Sequence, residues 1–141
     1  MALNRAMKHG LIAAALAVLC LPASMHAAHG ENCNKPLQST YEHAVCEERN
    51  EHVARVGMNR DLNRALTAAT ALHDIMFNDF RPYIKRTQEL WSRWADAQCE
   101  LEADAIMGSA SAFVVHVCRR ELNEARTQSL NVLAQQLEAL R

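Results

Sequence analysis

The chain has little that breaks a helix. It holds four glycines and three prolines in 141 residues, and beyond residue 30 only Gly57, Gly108, Pro36 and Pro82 remain. Valine and isoleucine nowhere alternate with polar residues, so the two-residue period of a half-buried strand is missing. These absences argue against a sheet and for a few long helices. Motifs that carry chemistry are missing too: no HExxH, no Glu-x-x-His of the di-iron bundle kind, no GxSxG and no glycine-rich phosphate loop. Positive charge is not in excess, with 15 Lys and Arg against 16 Asp and Glu. That balance fits neither nucleic acid nor anionic lipid. No catalytic residue, cofactor or metal site is assigned, and the chain is not read as an enzyme.

What is present begins with an export signal. Arg5 and Lys8 precede an apolar run, Leu11 to Leu21, and no acidic residue occurs before Glu31. Pro22 breaks the run, and small residues lead to Ala28-His29-Gly30. Basic start, apolar middle and small-residue end is the order of a secretory signal. Eleven apolar residues are too few to cross a bilayer, which takes roughly 20. Cleavage is placed after Gly30, with Ala27 and Ala28 as alternative sites, giving a signal peptide over 1–30 and a helical domain over 31–141, periplasmic or secreted. Cys20 could anchor a lipoprotein, but Leu19 stands where a small residue is needed, so no membrane anchor is expected. The mature part keeps thirteen basic and all sixteen acidic residues, a net charge of −3.

Three helices follow from the spacing of apolar residues. Ser39-Thr40-Tyr41-Glu42 reads as a capping box. From it a stripe runs through Tyr41, Val45, Val53, Val56, Leu62, Leu66, Ala69, Leu72 or His73, and Met76, with Gly57 as the candidate bend. Pro82 suits the first turn of a second helix beginning near Arg81. Its stripe is Tyr83, Ile84, Thr87, Leu90, Trp91, Trp94, Gln98, Leu101 and Ala105, with Trp91 and Trp94 as the aromatic centre of the core. Gly108 stops that helix, and Ser109 or Ser111 caps a third running from Phe113 to Leu140. The fold expected is all-α, an antiparallel three-helix bundle.

Four cysteines survive cleavage: Cys33, Cys46, Cys99 and Cys118. An even number in a short exported chain argues for disulfides, whereas zinc would want close pairs such as CxxC. Cys99 and Cys118 lie nine and ten residues either side of Gly108, at equal height in a hairpin turning there. Cys33 and Cys46 lie six and seven residues either side of Ser39. The pairing expected is Cys33–Cys46 and Cys99–Cys118.

The other polar residues read as structural. His43 with Glu47, and Glu48 with His52, sit one turn apart and form exposed ion pairs more readily than a metal site. His116 lies among apolar residues and reads as packed. The acidic groups Glu47-Glu48-Glu51 and Glu100-Glu102-Asp104 read as solvated faces, able to meet a basic partner.

Taken in order, Cys33, Cys46, Leu62-Asn63, Gln88-x-x-Trp91, Arg93, Cys99, Gly108-Ser109, Cys118, Arg126 and Leu130 resemble the LprI-type lysozyme inhibitor family. Leu66 stands where many members carry an aromatic. The resemblance implies a protein that binds and inhibits lysozyme-type muramidases, with lysozyme or another protein as partner and no cofactor. It transfers no inhibitory residue; Asn63, Arg93 and Arg126 are expected to have structural roles, such as bonding helix ends or turns. The turn Gly108-Ser109-Ala110-Ser111 is the one short, small-residue protrusion suited to insertion into a cleft, so Gly108, Ser109 and Ser111 are the candidate partner-binding residues. The alternatives are a non-enzymatic structural or adaptor module of the bacterial envelope and a small-molecule or metal carrier using the carboxylates and histidines of the first helix.

Overall fold

Ser39 starts the first helix by accepting the Glu42 amide on its hydroxyl at 3.2 Å. Glu42 turns back to that same hydroxyl, at 3.4 Å. Three helices follow in chain order: α1 Thr40–Met76, α2 Arg81–Ala105 and α3 Ser111–Ala139. The computed structural model describes residues 30–33, 36, 39–76, 78–106, 108 and 110–141, and among them no strand occurs. The segment up to residue 29, where the export signal is expected, with Leu19 and Cys20, lies outside the described residues, and so does Ser109.

The expected stapled bundle is what forms. Cys99 and Gln88 of α2 meet Cys118 and Arg126 of α3, so these helices run antiparallel. His43, Glu47 and Arg64 of α1 meet Phe113, Arg120 and Asn131 of α3, so α1 and α3 run parallel. That is the up-down-up path of a short-loop bundle. α3 is its spine, packing most extensively on α1, next on α2, while α1 and α2 touch far less.

Local chemistry sets the helix ends. The Asp79 carboxylate accepts the Arg81 amide at 3.1 Å and grips the Arg81 guanidinium at 2.7 and 2.8 Å. This satisfies one of the open amides of the first turn, and Pro82 has none to satisfy. The paired guanidinium lowers the Asp79 pKa from its ordinary 3.8 to about 2. Gly108 has φ +101°, a left-handed conformation costly for any side-chain-bearing residue. Ser111 is the first residue of α3, and its hydroxyl donates to the Gly108 carbonyl at 2.9 Å. Ser111 therefore braces the turn instead of capping the helix, because its hydroxyl points back to the loop. Gly57 makes no break: α1 continues through it.

The apolar core fills the end of the bundle farthest from the disulfides. Ala68, Ala69, Leu72, Ile84 and Leu137 are buried there, with Leu62, Leu66, Phe80 and Leu133 packed around them. Alanines on α1 let the neighbouring backbones come close, and Leu72 is fully enclosed.

Two expectations about this packing are corrected. Trp94 is 52% exposed, together with Tyr83, Leu90 and Leu101. The tryptophans are therefore not a core centre, and only Trp91 is half-buried. α2 turns inward a different row, Ile84, Ala95 and Cys99. In the first half of α1 the inward row is polar, Cys46, Glu47, Asn50 and Glu51, while Tyr41 and Val56 of the expected stripe stand in solvent.

Candidate functional site

Both disulfides, the entry arm and the α2–α3 turn gather at one end of the bundle. Cys33–Cys46 holds the arm against α1 with its Cα atoms 5.8 Å apart. Cys99–Cys118 ties α2 to α3 below the turn, at a Cα separation of 5.5 Å. The expected pairing is thus the one formed. His43 of α1 stacks on Phe113 of α3 with ring centroids 5.1 Å apart, which sets the arm beside the turn. Asn50 completes the attachment: it accepts the Glu31 amide at 2.6 Å and donates to the Glu31 carbonyl at 2.9 Å.

Charge holds this end where apolar residues are few. Glu47 accepts the Arg120 guanidinium at 3.1 Å, and Glu51 meets His116 Nδ1 at 2.8 Å. Glu47 and Glu51 are buried, so the expectation of a solvated acidic face is corrected for both; Glu48 is exposed. The expected pairs of His43 with Glu47 and Glu48 with His52 do not form: Glu47 takes Arg120, His43 stacks on Phe113, and His52 bonds Arg55. His116 is packed, as expected, and its pairing with Glu51 comes in addition. On the outer side Arg119 reaches Asp96 at 3.2 Å and Glu100 at 3.7 Å.

The turn itself is open. Gly108 is exposed and Ser111 half-buried, and Ile106 beside them is 42% exposed. A shallow groove of about 310 Å³ lies nearby, lined by Glu31, Asn32, Tyr41, Glu42, Val45, Cys46 and Arg49. The structure places Gly108 and Ser111 together at the tip and leaves Ser109 undescribed.

The residues singled out elsewhere have local roles. Arg126 lies 5.7 Å from the Trp91 ring centroid and donates to Gln88 Oε1 at 3.0 Å; Gln88 in turn donates to Met58 Sδ. Burial lowers the Arg126 pKa, yet an arginine keeps its charge. It therefore ties three helices at mid-height, a structural role made between helices and not at a helix end or turn. Arg93 is exposed and pairs with Glu89, one helical turn earlier, at 3.8 Å.

This geometry gathers both disulfides and the buried charge pairs at one end of the bundle. The thiols of Cys33, Cys46, Cys99 and Cys118 are spent in bridges, and among the described residues no cluster of three metal-binding side chains occurs. The sequence reading missed the pairs Glu47–Arg120 and Glu51–His116. Their signal was there: two acids four apart on one helix, and a histidine and an arginine four apart on another. Among the described residues no helix is long and apolar enough to cross a membrane.

No curated protein and no solved structure matches the chain. A family model described as lysozyme inhibitor LprI matches residues 32–130, from the arm to the middle of α3. The match takes in both disulfides, the turn and the buried charge pairs. The chain therefore belongs to the LprI lysozyme inhibitor family.

Proposed function

We propose that this protein is an exported, non-catalytic inhibitor of lysozyme-type muramidases, acting in the periplasm or outside the cell through its stapled end. Family membership over residues 32–130 carries the reading. The end built around Gly108 fits it, because insertion into an enzyme cleft needs a narrow tip that does not flex. Cys99–Cys118 supplies that stiffness from just below the turn. Preorganisation of this kind lowers the ordering cost of binding. The target cleft works with two carboxylates flanking the scissile bond, and a small-residue tip can enter between them without a charge of its own. The mature net charge of −3 would steer a positively charged enzyme toward the inhibitor.

The test is lysis of a peptidoglycan substrate by several lysozyme classes in the presence of the oxidised mature protein. Slowed lysis with at least one class is the expected result, and Ser109→Tyr on the turn is expected to weaken it. Unchanged lysis at micromolar protein with every class rejects the reading.

A further inference from the structure

Four large apolar side chains of α2 stand in solvent: Tyr83, Leu90, Trp94 and Leu101, exposed by 73, 56, 52 and 65%. They follow one another at steps of seven, four and seven residues. At 3.6 residues per turn these steps keep all four on one strip of the helix. Thr87 and Ala97 fill the gaps, so positions 83, 87, 90, 94, 97 and 101 alternate steps of four and three. That is the heptad seam by which one helix packs along another. The inward row, Ile84, Ala95 and Cys99, lies about a third of a turn away. α3 and α1 therefore do not cover the seam.

The seam is also a palindrome. Turned end over end about residue 92, Tyr83 falls on Leu101, Thr87 on Ala97 and Leu90 on Trp94. Large meets large and small meets small. The flanking charges reverse about the next residue, 93: Arg86 precedes it and Glu100 follows it by seven residues each, on the same flank. In an antiparallel pair each Arg86 lies beside Glu100 of the second copy, twice over. Arg93, near the two-fold axis, pairs with Glu89 of its own helix at 3.8 Å. Glu100 keeps a 69% exposed side chain while it touches Arg119, so it is open to a second arginine.

We propose that α2 is the interface of an antiparallel homodimer, with a second copy of this chain covering the Tyr83–Leu101 seam. The seam is about 27 Å long, and one helix per copy gives an interface at or below the lower end of the stable range, near 1,200 Å². The dimer is therefore weak, with a dissociation constant in the micromolar range. A closed two-fold contact of this kind uses the same patch on both copies and does not propagate.

Sedimentation equilibrium of the oxidised mature protein, from about 1 to 500 µM, tests this. The expected result is a monomer–dimer transition within that range, with a blue shift of tryptophan emission following it as Trp94 leaves water. Trp94→Asp is expected to stay monomeric throughout, with unchanged helical circular dichroism and both disulfides intact. Arg86→Glu is expected to weaken association about tenfold, because symmetry doubles the change, and adding Glu100→Arg to it is expected to restore the dimer. A monomer at every concentration overturns the proposal, as does a dimer indifferent to Trp94→Asp or a double charge swap without rescue. A monomer whose lysozyme inhibition is lost in Trp94→Asp would also overturn it, and would assign the seam to the target. Because dimerisation is read without any enzyme present, its failure is separable from failure of the inhibitory function.

Discussion

Replacing Arg120 by methionine removes the cation that faces Glu47 across the α1–α3 contact while keeping most of the side chain's length. Nε of Arg120 lies 3.1 Å from Glu47 Oε2, and the two side chains are 26 and 9% exposed. At that distance the gross attraction is about 5 kcal/mol for an effective dielectric near 20, much of it already offset by the desolvation of both groups. Breaking a fully buried pair typically costs about 3–5 kcal/mol. Arg120 is a quarter open, so water can reach part of the stranded carboxylate, and the expected loss is about 2–3 kcal/mol. The contacts of Arg120 with Glu121 and Glu124, at 3.7 Å, add little because those acids are more than half exposed. Combining Arg120→Met with Glu47→Leu removes both charges, and that double variant is expected within about 1 kcal/mol of the parent. The assay is urea unfolding of the oxidised protein followed by helical circular dichroism, completed as a double-mutant cycle. A single variant as mild as the double, or two strictly additive effects, would refute the claim that this pair joins the polar half of the bundle.

Three further outcomes follow from the structure. Removing the α2–α3 bridge as Cys99→Ala with Cys118→Ala opens a loop of sequence separation 19; loss of about 3 kcal/mol in the same urea assay is expected, and an unchanged midpoint would show that the bridge constrains nothing. Gly57→Ala is expected to stabilise by about 1 kcal/mol, since an added Cβ meets no atom within 4 Å and α1 is helical there; a lower melting temperature would reveal a bend that needs glycine. Asp79, with its pKa lowered from 3.8 to about 2, contributes stability that is fully present above its ordinary pKa and lost as pH falls through the lowered one. Carbon-detected NMR titration should find its midpoint near 2, and a midpoint near 4 would mean that Arg81 does not hold it.

The sequence disclosed the parts of this fold that local chemistry decides. The capping box at Ser39, the proline at 82 and the glycine at 108 place helix ends, because each acts within a few residues of itself. Equal counting from Gly108 and Ser39 then paired the cysteines correctly, since a local hairpin leaves each thiol one partner in reach. What stayed hidden was the choice of buried face. α2 carries two apolar rows, one through Ile84 and Ala95 and one through Leu90 and Trp94, and periodicity alone describes both. Only the position of α3 decides between them. The first half of α1 misled in the opposite sense: Glu47 and Glu51 read as surface residues because their partners, Arg120 and His116, lie some 65 to 73 residues away. Of the candidate tip, Gly108 showed itself by its residue type, while the bracing of Ser111 onto the Gly108 carbonyl is a matter of geometry that a serine codon cannot reveal.

The central claim is that a disulfide-stapled end of this family member blocks a muramidase. Its most direct test is a titration of lysozyme with oxidised and reduced protein side by side, reading peptidoglycan lysis and complex formation on the same samples. Saturable inhibition by the oxidised form at or below micromolar concentration is expected, with weaker inhibition after reduction and a complex that appears with the inhibition. Folded, oxidised protein that neither binds nor slows any of several lysozyme classes at that concentration would contradict it.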